Sequence, residues 1–270
     1  MMDNVAESPP PTAMNARIAF LLAFTLAAVA IAFFAPPMPQ PLSYHDFADK
    51  RAALGIPNFL DVGSNIAFAV AGAVGLAATL RPRSCFERAA ERWPYALFFV
   101  GLLLTAAGSA YYHVAPDNET LLWDRLPMTI GFMSLFAAQI VDRIDVRLGL
   151  RLLVPLLLVG FASVAYWIAT ERAGHGNVIP YGVLQAYSVV VLLILAFLQP
   201  SRYTRAGAIY WVFAAYVLAK VLEHFDRELL DLGHLLSGHT LKHVAAAVSG
   251  LIVAHMLWYR RLATRAPTSG

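Results

Sequence analysis

The chain has 270 residues, of which 59% are hydrophobic and only 14% charged, against roughly 25% charged in a typical soluble domain. Its net charge of +3 arises from Lys and Arg scattered through short segments between apolar blocks, not gathered on one face, which argues against nucleic-acid binding. Cys85 is the single cysteine, so an intramolecular disulfide and a cysteine-based zinc cluster are excluded, and any metal must be held by histidine and carboxylate.

Apolar residues fall in blocks of about 17 to 24, the length that crosses a hydrocarbon core of roughly 30 Å. The expected fold is therefore all-α, a polytopic transmembrane bundle of about eight helices. Residues 1–14, acidic at Asp3 and Glu7 and Pro-rich, are expected to be a disordered tail. The first helix is expected over 16–35 and retained, since no positively charged signal-peptide start precedes it; cleavage near Ala35 is the competing reading, because Arg17 precedes a long apolar run. Pro36, Pro37, Pro39 and Pro41 end this helix and open a polar loop reaching residue 57.

Seven further helices are expected over 60–80, 95–114, 126–143, 152–170, 181–198, 206–224 and 238–259, forming a core over 58–260 with a C-terminal tail over 261–270. Arg81-Pro82-Arg83 and Gln199-Pro200-Ser201 read as turns. Alternate loops carry Arg17, then Arg81, Arg83, Arg88 and Arg92, then Arg143, Arg147 and Arg151, then Arg202 and Arg205, then Arg260, Arg261 and Arg265. The opposite loops hold only Lys50, Arg51, Arg125, Arg172 and Arg227. The positive-inside bias thus places both termini in the cytoplasm of a multi-pass cell-membrane protein.

Polar residues recur at the opposite, non-cytoplasmic helix ends. The third helix closes with Ser109-Ala-Tyr-Tyr-His113, the fourth opens at Asp124, and the eighth opens with Ser237-Gly-His239-Thr-Leu-Lys-His243. Residues four apart share a helix face, so His239 and His243 can aim at one cation, and Ser109 and His113 stack likewise. Three neutral imidazoles suffice for catalytic zinc and leave a fourth position for water. Asp124 reads either as a helix N-cap or as a carboxylate that moves protons, Ser237 as a cap, and His175 and His255 as interfacial or packing residues. Lys220, Glu223 and Asp226 are spaced by three and are expected to share a face as an ion-pair ladder beside the site. Head-group binding or support of a zinc histidine, shared with Lys242 and His234, is the alternative.

Ser109-xxx-His113, then Asp124, then His239-xxx-His243 resembles the signature of the alkaline ceramidase family, within the CREST superfamily of seven-helix membrane hydrolases. The resemblance covers residues 58–259, with the first helix as an addition. It implies zinc held by His113, His239, His243 and water, Asp124 as general base, and Ser109 orienting water or stabilising the oxyanion. It implies in turn hydrolysis of the N-acyl amide of ceramide-like membrane lipids to a fatty acid and a sphingoid base. Animal members carry an acidic calcium site before the first family helix; Asp46, Asp49 and Asn58 occupy the comparable place, with solvated loop charge as the competing reading. Three other classes stand beside the hydrolase: a proton-coupled transporter using Lys220, Glu223 and Asp226, a b-type haem carrier, and a receptor with a non-catalytic metal site.

Overall fold

The computed structural model describes residues 11–81 and 85–263, with side chains from residue 19 onward. It is an all-α bundle of α1 (Pro11–Phe34), α2 (Phe59–Gly63), α3 (Ile66–Leu80), α4 (Arg92–Val114), α5 (Asn118–Arg143), α6 (Val146–Arg172), α7 (Ile179–Leu198), α8 (Ala208–His224), α9 (Asp226–Gly233) and α10 (Gly238–Tyr259). Helix α1 packs on α7 alone of the long helices, through Phe24 stacked on Tyr187 and a 2.7 Å hydrogen bond between Thr25 Oγ1 and the Tyr187 hydroxyl. The remaining helices form the core, with α5 between α4, α6 and α7, and α10 between α3 and α8.

Several boundaries differ from the sequence expectation, each for a local reason. Helix α5 begins at Asn118, eight residues before the expected 126, because Asp117 accepts the Thr120 N–H at 2.7 Å while Thr120 Oγ1 accepts the Asp117 N–H at 3.1 Å. Asp124 consequently lies well inside a helix and is neither its opening residue nor its cap. Asp145 caps α6 by accepting the Leu148 N–H at 2.8 Å, which starts that helix at Val146 and not 152. The helix expected over 60–80 is interrupted at Ser64 and Asn65, between α2 and α3. The one expected over 206–224 continues past Phe225 into α9 with a bend of 74°.

The expected tails are shorter than residues 1–14 and 261–270. Helix α1 reaches back to Pro11, where proline suits a first turn whose N–H has no partner. Arg261 and Ala263 are tied to the 202–204 segment by backbone hydrogen bonds, Thr204 N–H to Arg261 O at 2.8 Å and Ala263 N–H to Arg202 O at 2.9 Å. Residues 1–10, with Asp3 and Glu7, residues 264–270, with Arg265, and Pro82 and Arg83 of the expected turn lie outside the described residues, as does the Arg17 side chain.

Among the described residues, five helical stretches are long and apolar enough to cross a membrane, Phe59–Leu80, Ala89–Val114, Val146–Arg172, Ile179–Leu198 and Gly238–Tyr259, and the bent α8–α9 pair makes a sixth when it is counted as one span. Of the eight expected spans, two fall outside that set. The described apolar part of α1 runs only over Ala19–Phe34. Helix α5 is too polar by composition, since it carries Arg125, Gln139, Asp142 and Arg143, and it buries all four against neighbouring helices. Intramembrane charge is tolerated in such interior positions and not against lipid.

Opposite the histidines, the bundle is closed by a buried ion pair. Arg260 Nη1 donates to Asp142 Oδ2 at 2.6 Å with the arginine side chain 0% exposed, and the Tyr95 hydroxyl donates to the same oxygen at 2.7 Å. Phe86, Tyr95 and Tyr203 surround the guanidinium, and Tyr203 donates its hydroxyl to Glu91. Arg260→Met should strand the Asp142 carboxylate and lower stability by about 3–5 kcal/mol, read as thermal or denaturant unfolding in detergent. The double variant Asp142→Leu/Arg260→Met should recover much of that loss, because no unpaired charge then remains buried.

Candidate metal centre

The centre forms where the C-terminal end of α4 meets the N-terminal ends of α5 and α10. Close backbone approach is required for this, and glycine supplies it at two points. A Cβ on Gly108 would lie 1.9 Å from the Trp123 carbonyl oxygen, so α4 and α5 touch backbone to backbone and set Ser109 beside Asp124. A Cβ on Gly238 would lie 2.0 Å from the Leu222 carbonyl oxygen, which seats the start of α10 directly on the end of α8.

The first turn of α10 is tied down further by carboxylates. Ser237 caps it by accepting the Thr240 N–H at 3.0 Å, as its sequence position suggested. The buried Asp61 of α2 accepts from Thr240 Oγ1 at 2.6 Å and Ser237 Oγ at 3.3 Å. Asp226 accepts the His239 N–H at 2.7 Å and, through its other oxygen, the Ala48 N–H at 2.9 Å. One carboxylate thus joins the start of α9, the start of α10 and the loop before α2.

His113, His239 and His243 are all buried, and their ligand atoms lie within 4.8 Å of one another. The Nε2 atoms of His113 and His239 are 3.3 Å apart. A tetrahedral ion with metal–nitrogen bonds of about 2.0–2.1 Å holds its ligands about 3.3 Å apart. Ser64 Oγ donates to the Asp61 carbonyl at 3.1 Å and meets His243 Nδ1 at 2.8 Å. That geometry makes Nδ1 the donor to Ser64 and turns the Nε2 lone pair of His243 toward the other rings, as hydrogen bonds to ligand histidines do in metal sites. His113 Nδ1 is buried without a hydrogen-bond partner, and no carboxylate lies among the three imidazoles to use their donors. The donor set therefore fits a shared metal ion. Phe47 packs against the rings of His113 and His239 with centroids 4.6 and 4.2 Å away, shielding one side from water.

Ser109, Asp124 and His243 line one end of a cavity of about 410 Å³ that also reaches Phe98, Leu135, Leu192 and Val212 in the apolar core. Ser109 and Asp124 stand side by side on the cavity wall. Glu223 bridges two lysines on the same wall, Lys220 Nζ at 2.7 Å and Lys242 Nζ at 2.5 Å. Asp226 does not join this ladder despite its spacing of three, because the chain bends between α8 and α9 and turns its carboxylate to backbone N–H groups. His234, His175 and His255 are exposed and lie outside the centre.

The residues of the expected calcium site are engaged elsewhere. Asp46 meets Lys50 and Arg227, and Asp49 accepts from Arg51 Nε at 2.8 Å and Nη2 at 2.7 Å, which holds the Asp49 carboxyl below the usual carboxylate range. Arg51 also donates to the carbonyls of His234 and Leu235. Asn58, at a φ of 48°, donates its amide to the His113 carbonyl at 2.8 Å and pins α2 to the end of α4.

Sequence reasoning did not single out Ser64, Phe47 or Asp61, and it placed Arg125 in a loop although it is buried in α5. No local pattern marks the first three. Arg125 carried a signal in its position beside Asp124 at the edge of an apolar block. No protein-family model matches the chain, and no curated protein matches it at a significant level.

If Ser64 orients His243, Ser64→Ala should weaken metal affinity about 10- to 100-fold with the fold intact, measured by competition against a chromogenic chelator. Unchanged affinity would exclude that role.

Proposed function

We propose that the chain is a zinc-dependent membrane amidohydrolase that cleaves the N-acyl amide bond of ceramide-like lipids to a fatty acid and an amine such as a sphingoid base. The observation that carries this reading is a buried three-histidine centre opening, beside a carboxylate and a hydroxyl, onto a cavity that continues into the apolar core. Three histidines leave a fourth position open, whereas a structural zinc site is normally closed by four protein ligands. The loop charges support reading the centre as lying at the non-cytoplasmic face, where the amide of a membrane lipid meets water.

His113, His239 and His243 would hold the zinc, which would supply a Lewis acid for the amide carbonyl and lower the pKa of water. The acyl chain lies along Phe98, Leu135, Leu192 and Val212. Asp124 takes a proton from the attacking water as its oxygen bonds to the carbonyl carbon, then delivers a proton to the nitrogen as the C–N bond breaks. Ser109 holds the Asp124 carboxylate in position and offers a hydroxyl toward the reacting carbonyl. Phe47 keeps bulk water from the rear of the histidine cluster.

The full chain, purified in detergent and loaded with zinc, should release fatty acid from N-acyl lipids and lose that activity on chelation. Asp124→Asn should keep its metal and lose about 10²- to 10⁴-fold in kcat, while His239→Ala should lose both metal and turnover. Absence of fatty-acid release from every amide tested would refute the hydrolase reading, and full turnover in Asp124→Asn would remove its assigned role.

A further inference from the structure

One cation in the cavity wall has no counter-ion. Arg125 is 6% exposed and lines the cavity immediately after Asp124. Its guanidinium stacks in a box of Trp167, Tyr181 and Tyr44, at 4.3, 4.9 and 5.5 Å from the ring centroids. Its one side-chain hydrogen bond runs from Nη2 to the neutral Gln40 Oε1 at 2.5 Å, and Nη1 has no partner. Among the described residues, no carboxylate lies within ion-pair distance; Glu171, which borders the box, instead accepts from Trp167 Nε1 at 3.1 Å and the Gln40 N–H at 2.6 Å.

A buried charge without a partner is costly, and aromatic faces offset only part of that cost. Of the other buried arginines, Arg143 spends its donors on Gln139 Oε1 and three backbone carbonyls, and Arg260 shows the paired arrangement, with three aromatic rings and a carboxylate at 2.6 Å. The Arg125 box repeats the rings and omits the anion. On the wall around it, two carboxylates, Asp124 and Glu223, face three cations, Arg125, Lys220 and Lys242. Glu223 is already shared by Lys220 and Lys242, the five groups together leave one positive charge in excess, and Tyr44 lines the same cavity as both lysines.

We propose that Arg125, backed by the Lys220–Glu223–Lys242 triad, is the recognition site for a carboxylate or phosphate on the polar part of the lipid, so that the substrate is an anionic N-acyl lipid. The proposal rests on the hydrolase reading for its reaction but not for its binding. Arg125 presents a planar fork suited to two anion oxygens. An anion seated there sits beside Asp124, where the amide of the same molecule reaches the histidine centre and its acyl chain enters the apolar end of the cavity. Hydrolysis consumes one water, forms the fatty acid carboxylate and releases an amine that keeps the anionic group.

The test has two arms on the zinc-loaded full chain in detergent. In the turnover arm, N-palmitoylglycine and N-palmitoylethanolamine phosphate are compared with neutral N-palmitoylethanolamine and ceramide, which also separates carboxylate from phosphate. The anionic amides should show kcat/KM about 10- to 100-fold higher. Arg125→Gln should remove that preference mainly by raising KM, and Arg125→Lys should retain part of it. In the binding arm, hexadecyl phosphate is titrated against hexadecanol by calorimetry, and the phosphate should bind at least tenfold tighter in the wild type and not in Arg125→Gln. Equal turnover of anionic and neutral amides, or a preference that survives in Arg125→Gln, would overturn the proposal. If no amide is cleaved, the hydrolase reading fails and the binding arm alone decides; equal binding of the two hexadecyl ligands then overturns the subsite. Should Arg125→Gln not fold, the wild-type selectivity and Arg125→Lys decide.

Discussion

In hydrocarbon no water is available to satisfy a charge, and the arrangement of this bundle follows from that constraint. Its ionisable side chains collect at two opposite ends, leaving Phe98, Phe99, Leu135, Leu192, Val253 and their neighbours to fill the middle. At one end the solution is a closed pair, with Asp142 and Arg260 neutralising each other inside a ring of aromatic side chains. At the other end, three buried imidazoles face one another and an arginine has no anion. The same physical rule that makes the first end a structural lock makes the second the candidate metal centre.

The histidine end is assembled from short-range contacts whose partners are far apart in the chain. Asp226 ties the loop at Ala48 to the first turn of α10, Asp61 ties α2 to that same turn, and Asn58 ties α2 to the end of α4. Gly108 and Gly238 remove the side chains that would hold α4 from α5 and α10 from α8. The break between α2 and α3 has a comparable use, since it frees Ser64 to meet His243. Asp46 and Asp49, which the family resemblance suggested as calcium ligands, and Asp226, which its spacing suggested as a ladder member, serve as ion-pair and backbone acceptors that hold this scaffold together.

Charge at the rim is handled differently from charge in the interior. Asp46, Lys50 and Arg227 form exposed pairs, which contribute little to stability in water. Arg51 bridges Asp49 to two backbone carbonyls at the turn before α10, a strap between the loop and the helix that carries two of the three histidines. Phe47, within that strapped loop, covers the histidine rings.

The sequence alone determined what depends on local composition and spacing. Apolar block length marked the helices α4, α7 and α10 to within a few residues, because burial in lipid acts on each segment separately. Helical spacing of four showed that His239 could act with His243, and Ser109 with His113. Helix starts were less legible, since the caps Asp117 and Asp145 lie in polar stretches that hydropathy does not weigh. Only the tertiary structure decided that Arg125 is buried and not a loop residue, that Asp226 leaves the ladder at a 74° bend, and that Ser64, Phe47 and Asp61 stand around the histidines. Each of those outcomes depends on partners distant in the chain, such as Trp167 against Arg125 or His243 against Ser64, or on a change in chain direction, and neither is encoded in the periodicity of a single helix.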